Sequence, residues 1–176
     1  MSRRGGEVTL RRAEVDDARG LVTLQREIYR EGRWFVGDGA PAEVAMAQRL
    51  RAADPQMSLW VVAAAGRQQL CGWLELHRLP SALLRHVATL TLAVAPGWRR
   101  LGVGRDLLVL GYDWAQDVGV QKISLNVRAS NEGAIRLYQA EGFVLEGRER
   151  WQVRTRDGFE DNLIMARFLG DEAEPD

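Results

Sequence analysis

Cysteine and histidine are scarce in this sequence, and each shortage excludes a kind of chemistry. Cys71 is the only cysteine among 176 residues, so the chain can form neither an internal disulfide nor a metal site built from cysteines. His77 and His86 are the only histidines, which is too few for a dedicated transition-metal centre. We therefore expect no metal cofactor.

The sequence also lacks an excess of charge of either sign. Lysine and arginine together number 24, aspartate and glutamate also number 24, and the formal net charge is +0. A general nucleic-acid-binding protein shows a basic excess that attracts phosphate groups. We therefore expect no nucleic acid partner.

Long hydrophobic runs are missing as well. The longest uninterrupted run covers residues 59–65, far short of the roughly 20 residues that span a bilayer. Residues 1–6 are polar and no apolar core follows them, so we expect no signal peptide, no membrane partner and a cytoplasmic location. The length predicts a single domain over residues 1–170, followed by an acidic, disordered tail at 171–176.

Apolar periodicity and turn residues predict a mixed α/β chain. The expected order is a strand, two helices, three strands, a helix, a strand, a helix and two closing strands. The predicted strands cover residues 8–11, 59–65, 70–77, 86–94, 122–127, a segment starting at 143, and 162–169. The predicted helices cover about 18–31, 41–51, 104–118 and 132–140.

The connection between the strand at 86–94 and the helix at 104–118 is predicted to bind an anion. The first backbone N–H groups of a helix lack intrahelical partners, and the helix dipole adds partial positive charge. Gly102 and Gly104 leave room for phosphate oxygens near the backbone. Three arginines add charged donors: Arg99, Arg100 and Arg105. A pyrophosphate suits this arrangement.

Two common nucleotide motifs do not fit this connection. A dinucleotide fingerprint would need a third glycine where Leu107 stands. A Walker loop would continue after Gly102 with lysine and then serine or threonine, whereas Val103 and Gly104 follow. On its glycines alone, the segment could equally be an ordinary strand-to-helix turn.

A second motif lies at residues 126–143. It places Asn131, Ala134 and Tyr138 at a fixed spacing and ends in Gly-Phe. With the preceding turn, which fits an Arg-x-x-Gly-x-Gly pattern, it resembles the GNAT acetyltransferase superfamily, whose members transfer acyl groups from coenzyme A to amines. The resemblance implies an α/β (α+β) fold with a mixed, mostly antiparallel sheet of six to seven strands, about four helices, and a splay between the two central strands.

The resemblance also implies acetyl-CoA as co-substrate and assigns residues to it. Backbone groups near Leu92 and Val94 would bind the pantetheine amides, and Asn131 would form a hydrogen bond with the same arm. Tyr138 would lie near the sulfur and protonate the departing thiolate as general acid. The turn would hold the pyrophosphate through Arg99, Arg100, Leu101, Gly102, Val103, Gly104 and Arg105.

The general base is harder to assign, because residues 86–94 contain no carboxylate where many relatives carry a glutamate. Glu75 on the preceding strand is the best substitute and would act through a water molecule. His77 and His86 are weaker candidates, since a histidine at a strand end is more often solvated. Tyr138 suits the acid role because a phenol with a reference pKa of about 10 carries its proton at neutral pH.

A weak base favours an acceptor amine that is partly neutral already. An α-amino group with a pKa of about 7.7–8.0 costs about 1 kcal/mol to deprotonate at pH 7, against roughly 4–5 kcal/mol for a lysine-like amine. We therefore expect a small-molecule amine acceptor such as an amino acid. The resemblance implies an acceptor pocket formed by the first two helices and the closing hairpin, with Tyr29, Trp34, Phe35 and Trp151.

Two alternatives stay open at this point. The chain could acetylate the N-terminus of a protein such as a ribosomal protein, which predicts an open groove. It could instead be a non-catalytic acyl-CoA-binding module that regulates a partner; the presence of Tyr138 argues against this, and the missing strand carboxylate argues for it. The closing strands could also form a homodimer.

Overall fold

The computed structural model describes residues 7–35, 39–66 and 69–170, which form seven strands and four α-helices. The strands are β1 (Val8–Arg12), β2 (Ser58–Ala65), β3 (Gln69–Arg78), β4 (Val87–Val94), β5 (Lys122–Arg128), β6 (Val144–Thr155) and β7 (Gly158–Phe168). The helices are α1 (Ala18–Arg30), α2 (Glu43–Arg51), α3 (Val103–Asp117) and α4 (Glu132–Ala140). The predicted order of elements is confirmed.

The strands follow the order β1-β2-β3-β4-β5-β7-β6 in one sheet. β1 and β2 are antiparallel, as are β5 with β7 and β6 with β7. β4 and β5 are parallel and pair only over residues 87–89 against 122–124. Both strands run on past the last pair. The predicted mixed, mostly antiparallel sheet with four helices is confirmed.

The described residues divide into two compact units. The first comprises residues 7–35, 39–66, 69–76 and 91–111, and the second comprises residues 77–90 and 112–170. A single domain over residues 1–170 stays a prediction, and the predicted tail at 171–176 lies outside the described residues.

The first unit has its core where α1 and α2 pack on the inner strands. α1 places apolar residues at helical spacing, and Leu21 and Ile28 are 0% and 1% exposed. They form a buried cluster with Met46 of α2, Trp60 of β2 and Trp73 of β3. Burial of this apolar stripe fixes the position of α1.

The first turns of α3 lie close to β3 because β3 carries a glycine at the contact. A Cβ on Gly72 would lie 3.1 Å from the carbonyl oxygen of Ala93 and 3.2 Å from Cδ1 of Leu107. Both distances are shorter than ordinary van der Waals contact, so a larger residue would push the start of α3 outward. The glycine therefore helps to position the helix N-terminus.

The second unit contains α4 and the long hairpin of β6 and β7. Asn131 caps α4, and its Oδ1 accepts a hydrogen bond from the N–H of Ala134 at 3.2 Å. After α4, Gly142 adopts a φ of 82°, and the N–H of Phe143 bonds to the carbonyl of Tyr138 at 2.9 Å. These two ends fix the helix that carries Tyr138.

Candidate active site

The connection between β4 and α3 has the backbone geometry of an anion-binding turn. A 3-10 turn at Pro96–Trp98 leads to Arg100 and Gly102, whose φ angles of 64° and 91° are both left-handed. α3 starts at Val103, and the N–H of Asp106 donates to the carbonyl of Gly102 at 3.0 Å. The backbone N–H groups before Asp106 have no helical carbonyl to bond to, because the helix has not yet begun one turn earlier. They can therefore bind an anion at the N-terminal end of α3.

The side chains of the predicted cofactor residues differ in exposure along this segment. Leu92 and Val94 are half-buried in β4, and Val103 is buried. Gly104 is half-buried at the second position of α3. Three of the predicted residues are exposed: Arg100, Leu101 and Arg105.

Arg99 is held by neighbouring groups of the first unit. Its two terminal nitrogens donate to both carboxylate oxygens of Glu31, at 2.8 and 2.5 Å. Its Nε donates to the carbonyl of Val94 at 2.8 Å. This two-point ion pair connects the end of α1 to the anion-binding turn, so Arg99 acts here as a brace for the turn.

The predicted acceptor residues near the end of α1 form an aromatic row. The Phe35 ring lies 5.6 Å from Tyr29 and 5.7 Å from Trp73, measured between ring centroids. Trp34 is half-buried, and the guanidinium of Arg33 lies 5.0 Å from its ring. Phe35 also packs against the buried cluster of the first unit. The aromatic row therefore contributes to the core and also offers a surface that an acceptor could contact.

Glu75, the predicted base, is half-buried in β3 between the buried residues Leu74 and Leu76. Alternation along the strand turns its side chain away from the face that those two leucines occupy. Water can reach a carboxylate that is only half-buried, which a water-mediated base would need.

Tyr138, the predicted acid, lies in the second unit and is 6% exposed. Its ring packs on Phe143 with centroids 5.4 Å apart. Burial, and to a lesser degree the neighbouring Tyr112, raises the pKa of Tyr138. The phenol therefore keeps its proton throughout the neutral range. Asn131, the other predicted cofactor residue of this unit, uses Oδ1 to cap α4.

Trp151, the last predicted pocket residue, sits on a distortion of β6. Pairing with β7 passes from Glu149 opposite Asn162 to Val153 opposite Glu160, so three residues of β6 bulge out. Trp151 has a φ of 57°, and its N–H donates to Asp161 at 2.8 Å. Its ring is 69% exposed and stacks on Phe159 at 5.2 Å. Strained bulges of this kind often re-aim a side chain beside a functional site.

A polar group that the sequence did not predict lies beside this bulge. Arg128 of β5 is opposite Asn162 of β7, which is opposite Glu149 of β6. Nε of Arg128, Oδ1 of Asn162 and Oε2 of Glu149 are each buried without a hydrogen-bond partner among the described residues. We call these three residues the Asn162 cluster. Strand register alone brings them together, and no local sequence pattern indicated this.

Glu160 fixes the arginine of this cluster. It accepts a hydrogen bond from a terminal nitrogen of Arg128 at 3.0 Å, and it also accepts from the hydroxyl of Ser130. Burial alone would raise the pKa of Glu160, but the hydrogen bonds from Ser130 and Arg128 outweigh it and lower that pKa. Glu160 is therefore an anion at neutral pH and balances the charge of Arg128.

The described parts of the chain contain neither a ligand group for a metal ion nor a membrane-spanning helix. No group of three or more histidine, cysteine or acidic residues within them is arranged to hold a metal ion. None of their helices is long and apolar enough to cross a membrane. Cys71 is fully buried, and burial raises the pKa of its thiol, so it is a poor nucleophile.

Comparison with known proteins identifies the family. Residues 21–143 match the acetyltransferase (GNAT) family, and the chain belongs to it. The [ribosomal protein bS18]-alanine N-acetyltransferase of Escherichia coli K12 is 37% identical over 95 residues, which is 54% of this chain and 64% of that protein. The chain thus matches less than two thirds of the length of this curated relative.

Two further relatives differ in what they act on. A mycothiol acetyltransferase of Paenarthrobacter aurescens is 34% identical over 100 residues, covering 57% of this chain and 29% of that protein. A GNAT phosphinothricin acetyltransferase of Sinorhizobium meliloti, solved with acetyl-CoA, superposes with a TM-score of 0.85 at 23% identity, covering 94% of this chain and 90% of that one. The fold is therefore shared among enzymes with different acceptors, and the neighbour solved with its co-substrate binds acetyl-CoA.

Proposed function

We propose that this chain transfers the acetyl group of acetyl-CoA to the α-amino group of a small molecule such as an amino acid, within a ternary complex. The observation that carries the proposal is the strained turn at the start of α3, where left-handed Arg100 and Gly102 precede the helix amides. Membership of the GNAT family supports acetyl-CoA as the molecule whose pyrophosphate binds there.

The turn binds the pyrophosphate mainly through backbone N–H groups from Leu101 to Arg105, and the exposed side chains of Arg100 and Arg105 add charge. Arg99 contributes by bracing the turn, because Glu31 and Val94 occupy three of its five N–H donors. Leu92 and Val94 offer backbone groups to the pantetheine arm. Asn131, whose Oδ1 caps α4, would contribute its remaining amide group to the same arm.

The chemical step is a direct displacement. The lone pair of the neutral amine attacks the thioester carbonyl carbon, the C–S bond breaks, and the thiolate takes the proton of the Tyr138 phenol. The proton that the amine gives up leaves through water to Glu75. Burial of Tyr138 keeps its proton in place until the thiolate forms.

An α-amino acceptor suits this set of residues. A half-buried Glu75 acting through water is a modest base, and an α-amine needs only about 1 kcal/mol to become neutral at pH 7. Tyr29 and Phe35 of the aromatic row, with the adjacent Trp34, would contact the acceptor's side chain. Trp151 of the second unit is likewise proposed as an acceptor contact.

Acetylation of a protein N-terminus is the second candidate. It is favoured by the 37% identity to the enzyme that acetylates an alanine of ribosomal protein bS18. Its acceptor group is also an α-amine, so the same chemistry applies. We also propose that the chain forms a homodimer and is located in the cytoplasm, and each of these needs a measurement of its own.

The test is release of free coenzyme A thiol from acetyl-CoA with a panel of acceptors. The panel contains free amino acids, N-terminal peptides, polyamines and aminoglycosides, and mass spectrometry identifies which one gains an acetyl group. We expect turnover with an amino acid or a peptide N-terminus. Silence across the panel, with acetyl-CoA still protecting the protein from heat, would favour a non-catalytic acyl-CoA-binding module.

A further inference from the structure

The Asn162 cluster combines one donor with two acceptors on one face of the second unit. Residues opposite one another in antiparallel strands point to the same face, and neighbouring strands lie about 4.8 Å apart. Arg128 and Glu149 are therefore about two strand spacings apart, with Asn162 between them. The three side chains therefore lie side by side on one face of these strands.

The three atoms call for a complementary ligand. Arg128 Nε needs an acceptor, whereas Asn162 Oδ1 and Glu149 Oε2 need donors. Arg128 and Asn162 are 9% and 8% exposed, and a buried polar atom without a partner is costly. A group with several N–H donors and one neighbouring oxygen would satisfy the whole cluster.

Charge selects among such groups. Glu160 neutralises Arg128 at 3.0 Å, so Glu149 leaves the cluster with a net negative charge. A cationic ammonium is therefore preferred over a neutral amide. An ammonium beside a carbonyl or carboxylate oxygen is the defining feature of an α-amino acid and of a peptide N-terminus.

We propose that the Asn162 cluster binds the acceptor through its α-ammonium group and the adjacent carbonyl oxygen, an inference that rests on the proposed function. Glu149 and Asn162 accept the ammonium N–H groups, and Arg128 Nε donates to the oxygen. The bound ammonium loses one proton to water before the neutral amine attacks the thioester. The three-residue bulge begins directly after Glu149 and holds Trp151 at its centre. The bulge thus places an exposed aromatic ring next to the cluster, where it can contact the acceptor's side chain.

Binding to the full-length chain saturated with coenzyme A tests the proposal by calorimetry. Alaninamide supplies an ammonium and a carbonyl oxygen, whereas isopropylamine keeps the ammonium and carries a methyl group in place of the carboxamide. We expect isopropylamine to bind at least about tenfold more weakly, since it leaves Arg128 Nε unpaired. This comparison uses the wild-type chain, so it does not depend on a variant that folds.

Two substitutions in β6 form a matched pair of test and control. Glu149→Gln keeps the shape and removes the charge, and we expect it to weaken alaninamide binding about tenfold. Glu146→Gln makes the same chemical change at a residue paired with Lys122 at 2.7 Å, and we expect no change. Coenzyme A affinity should be the same in all three chains. Binding of free alanine and of an alanyl tetrapeptide is measured in the same way. Tighter binding of alanine would identify an amino acid as the source of the ammonium, and tighter binding of the tetrapeptide would identify a protein N-terminus.

The outcomes separate the two proposals. Equal binding of alaninamide and isopropylamine, or equal binding by wild type and Glu149→Gln, would overturn the ammonium site. Binding of coenzyme A without binding of alaninamide, alanine or the tetrapeptide would also overturn it, while leaving acetyl transfer to another amine in place. Failure to bind coenzyme A would instead contradict the proposed function itself.

Discussion

Replacing Tyr138 with phenylalanine removes one hydroxyl from a side chain that is only 6% exposed. The ring contact with Phe143, at 5.4 Å between centroids, is kept. We therefore expect the free energy of unfolding to change by about 1 kcal/mol or less. If the phenol protonates the departing thiolate, kcat should fall by about 10²–10⁴-fold, which is about 3–5 kcal/mol of transition-state stabilisation.

The assay is steady-state release of coenzyme A thiol with the acceptor found in the panel. The KM for acetyl-CoA should stay within about twofold, because the hydroxyl acts on the leaving group. Tyr112→Phe is the matched control, since Tyr112 also has a buried hydroxyl in the second unit and a pKa raised by burial. A kcat for Tyr138→Phe within about twofold of the control would refute Tyr138 as the acid. Because burial raises the pKa of Tyr138, wild-type kcat should not decline from its ionisation below about pH 10.

Three further predictions concern the first unit. Glu31→Gln removes the ion pair that braces Arg99 and should raise the KM for acetyl-CoA several-fold at nearly constant kcat. Glu27→Gln in α1 is the control and should leave the KM unchanged. Equal KM values for the two variants would contradict the brace. Gly104→Val fills space beside the turn and should weaken acetyl-CoA binding in calorimetry, and unchanged affinity would count against the turn. Burial alone would raise the pKa of Asp17, but hydrogen bonds from Arg11 and a backbone amide lower it. The free energy of unfolding, measured with denaturant, should therefore fall as the pH drops below about 4, and it should fall less steeply in Asp17→Asn. Equal dependence on pH in wild type and variant would show that Asp17 does not stabilise the fold through its charge.

Sequence patterns predicted the elements well because their signals are local. The apolar spacing of α1, the glycines before α3 and the cap at Asn131 each depend on residues close together in the chain. The last strand was expected at 162–169 and already starts at Gly158. A smaller difference lies at α2, which was expected to start at Pro41 and starts at Glu43. Ala42 stays extended as its N-cap, with a ψ of 149°. An acidic residue in the first turn stabilises the later start.

Contacts between distant segments could not be predicted in this way. Arg99 stays a predicted cofactor-binding residue, but its ion pair with Glu31, which lies 68 positions away in the sequence, was not predicted. The Asn162 cluster depends on the register of three strands and on a bulge in β6. A shift of one residue would turn each side chain to the opposite face, so no local pattern encodes the cluster.

A peptide with two kinds of amine tests whether the chain acetylates an α-amino group. An alanyl peptide that also contains an internal lysine offers an α-amine and an ε-amine in a single molecule. After incubation with the full-length chain and acetyl-CoA, tandem mass spectrometry locates the added acetyl group. We expect acetylation of the α-amine, because it is the less basic amine and its neighbouring carbonyl fits the Asn162 cluster. Acetylation of the lysine alone would contradict this expectation and the proposed α-amine acceptor.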